Sequence, residues 1–132
     1  MPSRPRVLVA DDHGAMLDTL VQLLSSEFEV VATVSDGLSA VTTAARLLPD
    51  LLVLDIAMPG LNGIAAAARL KESGSTAKVV FVTNLHDREF AQEALASGNV
   101  GFVAKDRLFA DLLPAIRTVL AGQSFVSPSV PL

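Results

Sequence analysis

Residues 49–63 read PDLLVLDIAMPGLNG, and this stretch decides the fold that we expect. Its first half, Leu51–Leu54, is wholly apolar and leads to the carboxylate of Asp55. An apolar run without alternation is typical of a strand that is covered on both faces, as in a parallel sheet. Proline, glycine and asparagine follow over residues 59–63 and predict a turn before the next helix. The stretch therefore predicts a buried central strand with an acid at its carboxyl end.

The same order of strand and then helix repeats five times along the chain. Apolar or β-branched runs predict strands at Arg6–Ala10, Glu29–Val34, Leu51–Leu54, Lys78–Val82 and Val100–Ala104. Apolar residues at helical spacing predict helices at Ala15–Ser26, Leu38–Leu48, Ile64–Glu72, Arg88–Ser97 and Asp111–Ala121. Alternating elements of this kind indicate an α/β fold, with a five-stranded parallel sheet and helices on both of its faces.

The end of the last predicted helix defines the expected domain. Residues 1–122 are expected to form one domain, and residues 123–132, which contain two prolines, are interpreted as a linker or free C-terminal tail. Within the last helix we expect Asp111 to be the N-cap. That assignment places Pro114 in the first turn, where an amide donor has no intrahelical partner and its loss is harmless.

Composition excludes several classes of protein. The chain has 132 residues, enough for a single core, and its 51% hydrophobic and 18% charged residues argue against disorder. No apolar run approaches the roughly 18 residues of a membrane span, and no secretory signal is present, so we expect a cytoplasmic protein without membrane contact. Without cysteine, disulfides and thiolate metal sites are excluded. A net charge of −4 and scattered basic residues argue against direct nucleic-acid contact.

Polar residues follow four of the five predicted strands. They are Asp11 and Asp12 after the first strand, Asp55 at the end of the third, Thr83 after the fourth and Lys105 after the fifth. Taken singly, each has an ordinary explanation as a turn residue, a helix cap or a solvated side chain. Because parallel sheets of this type bind ligands at the carboxyl ends of their strands, however, all five are expected to meet at one edge.

Such a cluster indicates a particular chemistry. Three neighbouring carboxylates repel one another and stay ionised together only beside a cation. Oxygen ligands with room for water suit Mg²⁺, and Mn²⁺ accepts the same donors. A carboxylate can also act as a nucleophile and form an aspartyl phosphate, a reaction that needs mainly positioning and neutralisation of charge. The cluster therefore predicts metal-dependent phosphoryl transfer to an aspartate.

At these positions the sequence resembles the receiver domain of bacterial two-component response regulators. Residues 55–63 are similar to the loop that follows the family's phosphorylated aspartate, and residues 101–106 are similar to its fifth strand. The resemblance covers residue 6 to about residue 122. It implies a flavodoxin-like fold with strand order 2-1-3-4-5, and a signalling switch rather than an enzyme.

The resemblance also implies a metal site around the modified residue. Asp55 would be the phosphoacceptor and would share the metal, Mg²⁺ or Mn²⁺, with other ligands. Asp12 would bind the metal directly, Asp11 would act nearby through water, and the backbone carbonyl of Ala57 would complete the protein's ligands.

Further residues would act on the phosphoryl group or respond to it. Lys105 would pair with the group, and Thr83 would turn its hydroxyl toward it. Phe102 stands where the family places its switch aromatic and would move inward together with Thr83. A plain core residue is an equally good interpretation of Phe102.

Finer features resemble the branch of the family that carries a C-terminal helix-turn-helix output domain, the LuxR/NarL type. They are residues 11–13, residues 105–106 and residues 116–122. The resemblance implies a transcription regulator that receives its phosphoryl group from a histidine kinase or phosphotransfer protein. Another copy of the chain is a possible partner, and DNA would be contacted only through an output domain absent from these 132 residues.

Three alternatives stay open on the sequence alone. The chain could be a stand-alone receiver that acts through protein contacts, or a pseudo-receiver that is never phosphorylated. Loss of an acid or of Lys105 would favour the pseudo-receiver, and none is lost. A phosphatase acting on external esters through Asp55 would be expected to carry a second acid two residues later, where Ala57 stands.

Overall fold

The fold is given by a computed structural model that describes residues 4–84, 88–96, 98 and 100–128. The strands are β1 Arg6–Ala10, β2 Glu29–Val34, β3 Leu51–Asp55, β4 Lys78–Thr83, β5 Val100–Ala104 and β6 Phe125–Val126. The helices are α1 Gly14–Leu24, α2 Gly37–Leu47, α3 Gly63–Glu72, α4 Arg88–Ala96 and α5 Leu108–Leu120, with a 3₁₀ turn at Lys105–Arg107 before α5. None of the helices in the described residues is long and apolar enough to cross a bilayer.

The strands form one parallel sheet in the order β2-β1-β3-β4-β5-β6. The first five strands follow the expected order, but the expectation of five strands is wrong, because the described residues form a sheet of six. The extra strand lies in the segment that the sequence suggested to be a linker or tail. Its residues Phe125 and Val126 pair with Gly101 and Phe102 of β5. They cover backbone groups that would otherwise be exposed at the sheet edge.

Two apolar layers cover the two faces of the sheet. Leu52 and Leu54 of β3 pack with the layer that contains α2, α3 and α4, whereas Leu51 and Val53 pack with the layer that contains α1 and α5. Successive side chains of a strand point to opposite faces, so a central strand with helices on both sides must be apolar throughout. This arrangement explains why β3 carries no alternation, and it leaves Asp55 at the buried end of the strand.

Helix α5 begins three residues earlier than the sequence suggested. It starts at Leu108, directly after the 3₁₀ turn, so Asp111 lies inside the helix and is not its N-cap. Pro114 is therefore in the helix interior, where it cannot donate to the carbonyl of Ala110 one turn earlier. The expected cap is wrong because the buried carboxylate of Asp111 binds the side chains of Arg107 and Ser127 instead of a backbone amide.

Candidate functional site

The carboxyl ends of β1, β3 and β5 bring two acids and a lysine into contact. Asp11 follows β1 and is fully buried, Asp55 ends β3, and Lys105 follows β5 with only 7% of its side chain exposed. Lys105 Nζ lies 3.0 Å from Asp11 Oδ2 and 3.3 Å from Asp55 Oδ2. The lysine thus bridges the two buried carboxylates at the edge where the strand ends meet.

Asp12 and His13 extend this cluster toward solvent. One ligand atom from each of Asp11, Asp12, His13 and Asp55 lies within 4.8 Å of the others. The imidazole of His13 is 69% exposed, and its Nδ1 lies 3.0 Å from Asp12 Oδ1. The imidazole therefore lies on the solvent side of the carboxylate cluster.

The donor atoms fit a divalent cation with oxygen ligands. Three carboxylates, from Asp11, Asp12 and Asp55, face the single ammonium of Lys105, so the group carries an excess of negative charge. Within the described part of the chain, Asp11 Oδ2 is buried and accepts no hydrogen bond of ordinary geometry, although Lys105 lies beside it. A hard cation would supply the missing charge and accept these oxygens together with water.

Electrostatics set the protonation of the two central groups. Burial raises the pKa of the Asp55 carboxyl, the negative charge of Asp11 raises it further, and Lys105 opposes both effects. For Lys105, burial lowers the pKa, but the carboxylates of Asp11 and Asp55 outweigh burial and raise it above its ordinary value. The lysine therefore stays charged, while the pKa of Asp55 stays above that of a free aspartate because burial and the charge of Asp11 outweigh the effect of Lys105.

Local backbone geometry holds Asp55 against the start of α3. Asp55 Oδ1 accepts a hydrogen bond from the Ala57 amide at 3.3 Å, and Asn62 caps α3 by accepting from the Ala65 amide at 2.8 Å. A Cβ atom at Gly63 would lie 2.3 Å from the carbonyl oxygen of Asp55. Only glycine therefore allows α3 to begin this close to the end of β3.

The two expected switch residues both lie inside the protein. Thr83 ends β4 opposite Ala104 of β5 and is fully buried. Phe102 is also fully buried and packs against Phe81, with ring centroids 6.4 Å apart. This packing fits a core role and also an inward position of a switch, so the two interpretations of Phe102 stay open.

A second polar group, formed by Ser127, Asp111 and Arg107, was missed by sequence reasoning. Ser127 Oγ donates to Asp111 Oδ2 at 2.7 Å and accepts from the Ala104 amide at 3.1 Å. Arg107 Nε donates to the same Asp111 oxygen at 2.8 Å. The signal was faint, because an apolar pair followed by a serine and a proline is too short for periodicity to reveal a strand.

Comparison with known proteins gives consistent matches over nearly the whole chain. Residues 7–117 match the family described as response regulator receiver domain. The response regulator GacA of Pseudomonas viridiflava is 34% identical over 127 residues, which are 95% of this chain and 59% of GacA. The chain thus spans about three fifths of the length of such curated relatives.

Solved structures agree in fold and in family. A two-component response regulator of the LuxR family from Aurantimonas sp. SI85-9A1 superposes with a TM-score of 0.90 at 29% identity, and covers 97% of this chain and 93% of its own. A CheX–CheY–BeF₃–Mg²⁺ complex from Borrelia burgdorferi contains a chain with a TM-score of 0.83 at 27% identity, covering 89% of this chain and 90% of its own.

Proposed function

The chain belongs to the response regulator receiver family of two-component signalling, in its LuxR/NarL branch, and from that premise we propose that Asp55 is its phosphoacceptor. One observation carries the proposal. Lys105 Nζ lies within 3.3 Å of carboxylate oxygens of both Asp11 and Asp55 at the carboxyl edge of the sheet. The carboxylate of Asp55 can thus act as a nucleophile beside a second carboxylate, Asp11, that can bind a metal, and beside the Lys105 ammonium, which can bind a phosphoryl oxygen.

The proposed reaction is a direct transfer. A carboxylate oxygen of Asp55 attacks phosphorus and forms an acyl phosphate bond, while the bond from phosphorus to the donor breaks and the donor leaves with the electron pair. Asp55 must be ionised to attack, and the neighbouring Lys105 favours that form against the burial that raises the pKa of this carboxyl. Its Oδ1 is held by the Ala57 amide, which fixes the orientation of the carboxylate.

The site is proposed to bind a divalent cation, Mg²⁺ or Mn²⁺. The proposed ligands are Asp12, Asp11, Asp55 and the carbonyl of Ala57. When bound, the cation neutralises charge on the carboxylates and on the incoming phosphoryl oxygens. The fit rests on the cluster of carboxylate oxygens within 4.8 Å and on the buried Asp11 oxygen without a hydrogen bond among the described residues. The related complex from Borrelia burgdorferi contains Mg²⁺ and BeF₃.

Lys105 and Thr83 are the proposed partners of the phosphoryl group. The ammonium would exchange part of its contact with Asp55 for a phosphoryl oxygen, and the hydroxyl of Thr83 would donate to another. Phe102, on the strand next to Thr83, is the proposed second switch residue. The packed interior around Phe81 and Phe102 would favour discrete inward and outward states over a gradual shift.

The proposed donor is a histidine kinase or phosphotransfer protein. The proposed output is control of transcription through a DNA-binding domain, and the similarity to LuxR-family response regulators, one of them described as DNA-binding, supports it. Self-association of the phosphorylated chain is the proposed way in which the switched state reaches that output. A receiver that acts alone through protein contacts is the alternative to this output.

Intact mass spectrometry tests the phosphoacceptor. The wild type, incubated with Mg²⁺ and a small phosphodonor such as acetyl phosphate, should gain the mass of one phosphoryl group. Asp55→Asn should gain none. Asp50→Asn is the matched control, because Asp50 is an exposed aspartate that directly precedes β3, at the opposite end of the strand from Asp55. This variant should gain the same mass as the wild type. A folded wild type that gains no mass from several donors would support the pseudo-receiver instead.

A further inference from the structure

A buried polar group joins the segment after α5 to the strand that presents Lys105. We call it the clasp, and it consists of Ser127, Asp111, Arg107 and the backbone amide of Ala104. Ser127 is 1% exposed and bridges Asp111 Oδ2, at 2.7 Å, to the Ala104 amide, at 3.1 Å. The Ser127 amide also donates to the carbonyl of Phe102 at 2.9 Å. The segment is thus fixed to β5 through both its backbone and its side chain.

Holding β6 against the sheet does not by itself require a carboxylate. The apolar Phe125 and Val126 already pair with β5, and a serine hydroxyl could bind the Ala104 amide without further help. Burying Asp111 costs free energy unless the charge is fully paired, and here Arg107 and Ser127 pair it. A network that satisfies the buried groups of Asp111 and Ser127 in this way favours one local arrangement.

The clasp contacts the chain on both sides of Lys105. Ser127 binds the backbone amide of Ala104, which precedes the lysine, and Asp111 binds the side chain of Arg107, which follows the lysine by two residues. Between them runs the 3₁₀ turn Lys105–Arg107. Lys105, whose Nζ lies 3.0 Å from Asp11 and 3.3 Å from Asp55, is thus presented by a turn that contacts the clasp at both ends.

We propose that Ser127 and Asp111 are positioning residues for Lys105, so that the segment Phe125–Ser127 is energetically coupled to the phosphoryl site. The inference rests on the proposed function, because it requires Lys105 to bind the phosphoryl group. Coupling of this kind is reciprocal. If the clasp favours the lysine position that binds a phosphoryl group, then a phosphoryl group on Asp55 stabilises the clasp by the same factor. Phosphorylation would in this way tighten the chain segment that follows α5.

The first test measures phosphorylation kinetics. Ser127→Ala removes the bridge between Asp111 and the Ala104 amide, and Ser127→Thr keeps a hydroxyl in the same place. With acetyl phosphate and saturating Mg²⁺, the uptake rate of Ser127→Ala should fall at least about threefold, within the roughly twofold to thirtyfold range for coupling between distant sites. Ser127→Thr should recover most of the rate.

A control separates positioning from a general loss of stability. Ile116→Val shortens a buried side chain on α5 outside the clasp and lowers stability modestly. Its uptake rate should stay within roughly twofold of the wild type, because coupling through the clasp is intact. The proposal is overturned if Ser127→Ala lowers the rate no more than Ile116→Val does, or if Ser127→Thr restores stability without restoring the rate.

The second test needs no substitution. Mg²⁺ with beryllium fluoride, a mimic of the phosphoryl group, should slow hydrogen exchange of the Ser127 amide at least about threefold. The Ser39 amide, which is bound to Asp36 at the start of α2, is the reference and should change less. A wild type that gains no phosphoryl mass and binds no beryllium fluoride contradicts the proposed function itself. A wild type that gains the mass, but whose Ser127 amide changes no more than that of Ser39, contradicts only the coupling.

Discussion

Lys105 Nζ lies 3.3 Å from Asp55 Oδ2, although the two residues are 50 positions apart in the sequence. The contact exists because β3 and β5 are parallel strands on either side of β4, so that their carboxyl ends reach the same edge. Asp11 Oδ2, at 3.0 Å, completes a buried group of two carboxylates around one ammonium. Its charge balance is incomplete without a further cation, and several measurable properties depend on that imbalance.

Replacing Lys105 by methionine should change metal affinity and phosphoryl transfer in opposite directions. Without the ammonium, Asp11 and Asp55 attract a divalent cation more strongly, and Mg²⁺ affinity should rise by about 1–2 kcal/mol, or roughly fivefold to thirtyfold. Phosphoryl uptake should fall at the same time, because the partner of a phosphoryl oxygen is lost. Calorimetric titration with Mg²⁺ measures the first effect, and intact mass after incubation with a phosphodonor measures the second.

Lys78→Met is the control for that experiment, because it removes a lysine at the amino end of β4, away from the site. It should leave both quantities near their wild-type values. Mg²⁺ affinity that falls in Lys105→Met would show that the lysine supports the metal site instead of competing with it.

Replacing Asp55 by asparagine should stabilise the protein when no divalent cation is present. Burial and the charge of Asp11 raise the pKa of Asp55, so the ionised form is less favourable in the folded state than in the unfolded state. Because Asp11 still pairs with Lys105 in the variant, removing that charge should raise the free energy of unfolding. Urea denaturation followed by far-ultraviolet circular dichroism measures it; the chain has no tryptophan or tyrosine to report by fluorescence.

Added Mg²⁺ should reduce this advantage. At Mg²⁺ concentrations above the Kd, the free energy of unfolding of the wild type rises with the logarithm of the Mg²⁺ concentration. The rise should be smaller in Asp55→Asn, because this variant has lost one ligand of the cation. The same variant at Asp50, an exposed aspartate, should show neither effect. Equal stabilisation of wild type and Asp55→Asn by Mg²⁺ would contradict the assignment of Asp55 as a ligand.

Two features of the site follow from the sequence alone. The apolar run before Asp55 was informative because a strand covered on both faces has to be apolar at every position, and that demand persists over many residues. The meeting of Asp11, Asp55 and Lys105 followed from the parallel topology, which sends equivalent strand ends to one edge. Both features follow from the architecture of a parallel sheet, which constrains whole strands and not single residues.

The clasp followed no such rule. Strand β6 has only two residues, so no period can reveal it. Asp111 was expected to cap a helix because aspartate favours that position, but its tertiary contacts with Arg107 and Ser127 overrode this local preference. Such contacts depend on residues that the sequence alone does not bring together.

The stability contributed by the clasp should depend on pH in a defined direction. Burial acts to raise the pKa of Asp111, but the hydrogen bonds from Arg107 and Ser127 outweigh it and hold the pKa below the ordinary value of 3.8. A lowered pKa means that the carboxylate stabilises the folded state above pH 3.8, and that this contribution is lost as the pH falls through the lowered value.

Comparison of the wild type with Asp111→Asn isolates this contribution. At neutral pH the variant should be less stable by about 1.5 kcal/mol, the lower end for hydrogen bonds to a charged group, because Arg107 is partly exposed. The difference in stability should shrink as the pH falls below the pKa of a free aspartate. Urea denaturation at several pH values measures it, and a difference that grows toward low pH would contradict the assignment.

Deleting residues 125–132 should both destabilise the protein and promote self-association. The deletion removes the half-buried Phe125 and Val126, the buried Ser127 and their hydrogen bonds, which together should cost about 2–4 kcal/mol. It also leaves the backbone groups of Gly101 and Phe102 open along β5, and an open edge of this kind can pair with the edge of another molecule. Denaturation and light scattering coupled to size-exclusion chromatography measure the two effects. Deletion of residues 129–132 alone keeps β6 and Ser127 and should produce neither, so an equal effect of the two deletions would show that β6 does not protect this edge.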